Sequence, residues 1–217
     1  DTTTGDPDVT VDPDVTVEPE TTTPVVLPYP PGDVASAKPY GMVKWDIMPN
    51  MTFYDPWADE WVELASLYQH PTIKAFAFSH SAGWCPPCKA EAEALVPIFD
   101  DLEAKGMSVF YTLGQDVQGL VPFGPDVTKE ASMAFMEGWK AEMSVDYPLY
   151  ADPLQEIWQH LPPEGHGWPL TMVVTTKDMC IRYVDEGFSD AFIKNKISIA
   201  LNDPPSEGIC RGYVAPE

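Results

Sequence analysis

I-K-A-F-A-F (73–78), S-H-S-A-G-W (79–84), C-P-P-C (85–88) and K-A-E-A-E-A-L-V-P-I-F-D-D-L-E-A-K-G (89–106) form the stretch whose reading decides the fold. The first six residues are a short apolar run suited to a buried strand. Polar and glycine-containing 79–84 reads as the turn that follows. The segment after the cysteines has helical character and stops at Gly106, with Pro97 expected to kink it. Strand, turn and helix therefore put Cys85 at a helix N-terminus and Cys88 one turn later on the same face. Unpaired amides and the helix dipole favour a thiolate at that first position. Pro86 and Pro87 suit the first turn, whose amides lack intrahelical partners.

Four cysteines are present, Cys85, Cys88, Cys180 and Cys210. A structural zinc site needs a second ligand pair at matching spacing, and neither the lone Cys180 and Cys210 nor the histidines (His70, His80, His160, His166) provide one. No metal is expected. A purely structural Cys85–Cys88 bridge would close a small ring of the labile kind. Redox chemistry is the better reading, with Cys85 exposed and attacking and Cys88 buried and resolving.

Working outward, 51–54 reads as a strand, followed by a turn-rich D-P-W-A-D-E, and 61–67 continues the chain towards the first buried strand. Residues 108–113 form a second buried strand. Residues 127–143 are an amphipathic helix whose Met133, Phe135, Met136 and Trp139 read as core. A short strand (147–150) and a short helix (154–160) follow. A hairpin (170–175 and 180–184) then turns across K-D-M, and a last helix is expected over 190–201. This order makes an α/β sandwich around a mixed sheet the natural architecture.

Charge is concentrated at the start. Over residues 1–40 eight acids face one base, Lys38, and eight of the 24 prolines fall there. The unit D-P-D-V-T-V occurs at 6–11 and again at 12–17. Such a segment is expected to be a disordered acidic linker or stalk. Residues 41–205 are assigned to the folded domain and 206–217 to a C-terminal tail. The whole chain, 217 residues with a formal charge of −22, has the wrong sign for duplex nucleic acid. No apolar run is long enough to span a membrane. The chain opens at Asp1 without a leader, so any export signal is expected to have been removed or omitted.

The strand, W-C-P-P-C-K-A-E on a helix, a later X-Pro before an apolar strand and a hairpin together resemble the thioredoxin superfamily. The closer resemblance is to its extracytoplasmic TlpA-like, redoxin-type thiol–disulfide oxidoreductases, and it covers about residues 45–201. It implies a thioredoxin-like three-layer sandwich, with a central mixed β-sheet, helices on both faces and an N-terminal hairpin extension. Pro169 matches the cis-proline that faces the active disulfide in that family, and Trp168 before it would bond an extended substrate segment. Trp84 matches the tryptophan shaping the rim. Glu91 matches an acidic position of the K-x-E segment, although a solvated helix face is an equally good reading. Pro86, Pro87 and His80 are further candidate modulators, His80 as a loop residue beside the site. The strand before Cys85 holds no acid, so a carboxylate proton shuttle from that strand is not expected.

The function implied is electron exchange with protein disulfides through a mixed-disulfide relay, needing no cofactor beyond the Cys85–Cys88 pair. Partners would be protein thiols or disulfides and an electron-donor or acceptor protein. Two alternatives are copper handling by the cysteines with a histidine from His160–His166, and a peroxidase of the same superfamily. The frame is common to reductants, oxidants and isomerases. The stalk and even cysteine count point to the periplasm or cell envelope, with a lipid tether preceding Asp1. Cys180 and Cys210 are expected to form a second, structural disulfide that pins the tail.

Overall fold

The computed structural model describes Tyr29, residues 40–162 and 165–191, Asn195 and Cys210. Apart from Tyr29, Tyr40 and Cys210, the predicted linker and tail lie outside the described residues, as does most of the predicted last helix. Tyr29, inside the predicted linker, is anchored on the domain. Its hydroxyl donates to the Met48 carbonyl, and its ring packs 5.8 Å from that of Tyr68.

Seven strands form one mixed sheet. They are β1 (Thr52–Asp55), β2 (Glu60–Glu63), β3 (Ala75–Ala82), β4 (Met107–Gln115), β5 (Leu149–Ala151), β6 (Leu170–Thr175) and β7 (Cys180–Glu186), in the order β2-β1-β5-β4-β3-β6-β7. β3, β4 and β5 run parallel, while β6, β7 and the β1–β2 hairpin pair antiparallel with their neighbours. All eight residues of β3 are buried, which explains the near-continuous apolar run, because a central strand is covered on both faces. The helices are α1 (Pro86–Leu95), α2 (Phe99–Ala104), α3 (Lys129–Glu142) and α4 (Glu156–His160).

Pro97 does more than kink a helix. It sits in a 3₁₀ turn, Val96–Ile98, that separates α1 from α2, because a ring without an amide hydrogen interrupts the hydrogen-bond ladder. α3 begins at Thr128, whose side chain caps it by accepting from the Ala131 amide at 3.2 Å.

The two faces of the sheet carry separate cores. On one, Leu95, Phe99, Leu102, Met136 and Trp139 of α1, α2 and α3 pack on Ala77, Tyr111 and Val173. On the other, Phe76, Phe78, Phe110 and Met172 meet Phe53, Ile157 of α4 and the segment containing Ile47, Met48 and Met51. Strand alternation produces this split, since successive side chains of β3 point to opposite faces. It also decides which residues can reach α1.

The sequence reading ended this strand at Phe78, but β3 runs on through Ser79, His80 and Ser81 to a bulge before Ala82. Those polar residues stay in the sheet because their side chains find buried partners on both faces. His80 is therefore a fully buried strand residue, not a loop residue.

Candidate functional site: the Cys85–Cys88 disulfide and its buried carboxylate

Cys85 is the N-cap of α1 and Pro86 and Pro87 fill its first turn. The two cysteines are bonded to each other, with Cα atoms 5.3 Å apart. The Cys88 amide donates to Cys85 Sγ at 3.1 Å, one of the helix-end amides that would hold negative charge on that sulfur. Behind the pair, the Tyr111 hydroxyl donates to the Cys88 carbonyl at 2.9 Å.

Cys85 differs from expectation. It is only 1% exposed, scarcely more than Cys88. It is bonded to Cys88 and belongs to the core around α1, while its chain neighbours Trp84, Pro86 and Pro87 are exposed. Trp84 is 45% exposed; its indole N–H donates to Gln115 Oε1 at 2.7 Å, and its ring lies 5.8 Å from that of Trp168. The Trp168–Pro169 peptide bond is cis. Pro169 is buried and its carbonyl accepts from the Gly187 amide, while Trp168 is half-buried.

Glu91 is not on a solvated helix face. It is 1% exposed, three residues after Cys88 and so on the inner side of α1. The Ser79 hydroxyl donates to its Oε2 at 2.6 Å and the Thr171 hydroxyl to its Oε1. Burial pushes the Glu91 carboxyl up to about 7, against the opposing pull of those two hydroxyls. The strand before Cys85 does lack an acid, but the helix after it supplies one. That strand contributes Ser79 as a hydrogen-bond donor instead. Ser79, Thr171 and Tyr111 were not singled out in the sequence. The signal for Glu91 was available in its i+3 relation to Cys88, and for Thr171 in its position two residues after Pro169 on the same strand face.

His80 points to the opposite face of the sheet from Ser79. Its Nδ1 lies 2.9 Å from Thr112 Oγ1, and its ring packs 4.8 Å from Trp168 and 5.7 Å from His166. Its connection to the disulfide runs through Trp168 and Trp84, not through direct contact. Away from this site, Cys180 and Cys210 are bonded, with Cα atoms 5.7 Å apart.

No family model matches the chain, and no curated protein matches it. Solved structures do. The chain is similar to an uncharacterised conserved protein from Geobacillus kaustophilus at a TM-score of 0.58 and 16% identity, covering 77% of this chain and 86% of that one. It is similar to a thiol:disulfide interchange protein of the thioredoxin family from Chlorobium tepidum at 0.51 and 19%, covering 77% and 99%. A thiol:disulfide interchange protein from Bacteroides sp. matches at 0.55 and 14%, covering 77% and 95%. The fold is thioredoxin-like, as the sequence resemblance implied.

Proposed function

We propose that this protein is a thiol–disulfide oxidoreductase acting on protein substrates through Cys85 and Cys88. The observation that carries this reading is the pair itself: a disulfide at the first turn of α1, with the Cys88 amide donating to Cys85 Sγ. The thiol:disulfide interchange proteins that share the fold support it.

In the direction that oxidises this protein, the Cys85 thiolate attacks a substrate disulfide. A mixed disulfide forms and one substrate thiolate leaves. Cys88 then gives its proton to the Glu91 carboxylate and attacks Cys85 Sγ. The internal disulfide forms and the second substrate thiolate departs, so two electrons pass to the substrate. Run backwards, the same steps oxidise a substrate dithiol. A carboxyl held near 7 is matched to this exchange, because it can accept and return a proton close to neutral pH.

Trp84, Trp168 and Pro169 form the substrate rim, where an extended segment would lie along the backbone before β6. Cys180–Cys210 is a structural bridge between the start of β7 and the tail. We place the protein outside the cytoplasm, where both disulfides persist, with the acidic residues ahead of the anchored Tyr29 as its tether. Fractionating cells that express the full-length precursor tests that placement.

The activity is tested with a disulfide-bonded protein substrate and a dithiol as electron donor. Turnover is expected, together with its loss in Cys85→Ser. Equal rates for the wild type and Cys85→Ser would overturn the reading.

A further inference from the structure

On the face of the sheet away from α1, two histidines far apart in sequence share one aromatic enclosure. Their ring centroids are 5.7 Å apart at 62°. Trp168 lies 4.8 Å from His80 and 4.9 Å from His166, and Trp158 stacks on His166 at 4.9 Å.

The hydrogen bonds fix both tautomers. The Thr112 hydroxyl donates its only hydrogen to the Ser79 carbonyl at 3.0 Å, so it can only accept from His80 Nδ1. His166 Nδ1 is 2.7 Å from the Gly167 carbonyl, which can only accept. Both rings therefore carry their proton on Nδ1 and a lone pair on Nε2. Both Nε2 atoms are buried and have no hydrogen-bond partner among the described residues. Two lone pairs cannot bond to each other, and burial holds both imidazoles towards the neutral form. What satisfies them must be a hydrogen-bond donor or a Lewis-acidic cation.

We infer that His80 Nε2 and His166 Nε2 form a two-coordinate site for a monovalent d¹⁰ cation, copper(I). An Nδ1–H held by a carbonyl or hydroxyl is the arrangement that orients ligating imidazoles. Two metal–nitrogen bonds of about 2.0 Å, each extended by a ring radius of about 1.1 Å, allow centroids up to about 6 Å apart, so 5.7 Å leaves both imidazoles within reach of one cation in a clearly bent arrangement. Zinc calls for four ligands, and no group of three or more His, Cys, Asp or Glu side chains that could hold a metal occurs among the described residues. Low coordination is what copper(I) accepts. The Trp158 and Trp168 rings offer it π-faces in place of further donors. Gly114 leaves the ligating edge clear, since a Cβ there would stand 2.7 Å from His80 Nε2. The inference does not rest on the thiol–disulfide reading, because the site uses no cysteine.

Silver(I), a redox-silent probe of the same charge and coordination, tests it on the oxidised protein, in which all four cysteines are paired. Titration is expected to show one silver ion per chain, quenching of tryptophan fluorescence, and ¹⁵N shifts at Nε2 of two histidines only. His166→Ala should weaken binding at least a hundredfold. Thr112→Val, which removes the acceptor that orients His80, should weaken it about tenfold to a hundredfold while unfolding cooperatively like the parent. Absence of binding, undiminished affinity in His166→Ala, or shifts confined to His70 and His160 would each overturn the assignment.

Discussion

Replacing Glu91 with Gln isolates the buried carboxylate. An ordinary Glu titrates near 4.5, whereas Glu91 is raised to about 7. Between those values the folded protein binds a proton that the unfolded chain has released, so its stability falls as pH rises through that window. A pKa displaced by about 2.5 corresponds to about 3 kcal/mol lost between pH 4.5 and pH 7, and the group is fully buried, so little of this is screened. The glutamine side chain keeps one acceptor oxygen, and its amide can donate to whichever hydroxyl, Ser79 or Thr171, turns to accept. Denaturant unfolding of the oxidised parent and Glu91→Gln at pH 4.5 and pH 8 is the assay. The variant should gain about 3 kcal/mol relative to the parent across that range. The same substitution should slow resolution of a mixed disulfide at Cys85 by about 10²-fold or more, the usual worth of a positioned proton acceptor. Parallel stability curves would show that Glu91 is not held protonated near neutrality, and an unchanged resolution rate would remove it from the relay.

Asp152 is buried, with burial raising its carboxyl to about 6 and one carboxylate oxygen unpartnered among the described residues. Asp152→Asn should therefore stabilise the protein above pH 6 and change little below pH 4, as read by thermal unfolding across pH. Cys210→Ser opens a loop of 30 residues and should cost about 3–4 kcal/mol in denaturant unfolding. Under mild reductant, peptide mapping should find Cys85–Cys88 open before Cys180–Cys210. Gly114→Ala puts a Cβ 2.4 Å from His80 Cε1 and should destabilise by about 1–3 kcal/mol, measured by its unfolding midpoint.

The strand–turn–helix frame around Cys85 was legible because spacing and helix-end chemistry are local. The alternation of strands and helices and the β6–β7 hairpin followed from short apolar runs separated by turn residues. Four features were not legible, and each depends on packing that local spacing does not report. Ser79-His80-Ser81 reads as a polar turn until the hydroxyl of Thr112 and the carboxylate of Glu91 are in place to satisfy Ser79 and His80 within a strand. A-E-A-E-A-L has no apolar stripe that turns one glutamate inward, so the burial of Glu91 could not be told from a solvated helix face. The burial of Cys85 comes from the core cluster of α1, β4 and α3 that surrounds it, which no local spacing reports. The approach of His80 to His166 likewise arises from strand order, which brings the end of β3 beside the start of β6.

The most direct test of the central claim is trapping by Cys88→Ser. With the resolving thiol gone, the reduced variant mixed with a disulfide-bonded protein should accumulate a covalent mixed disulfide. Mass spectrometry should place that bond at Cys85. Absence of any adduct, or attachment through Cys180 or Cys210 instead, would contradict the account.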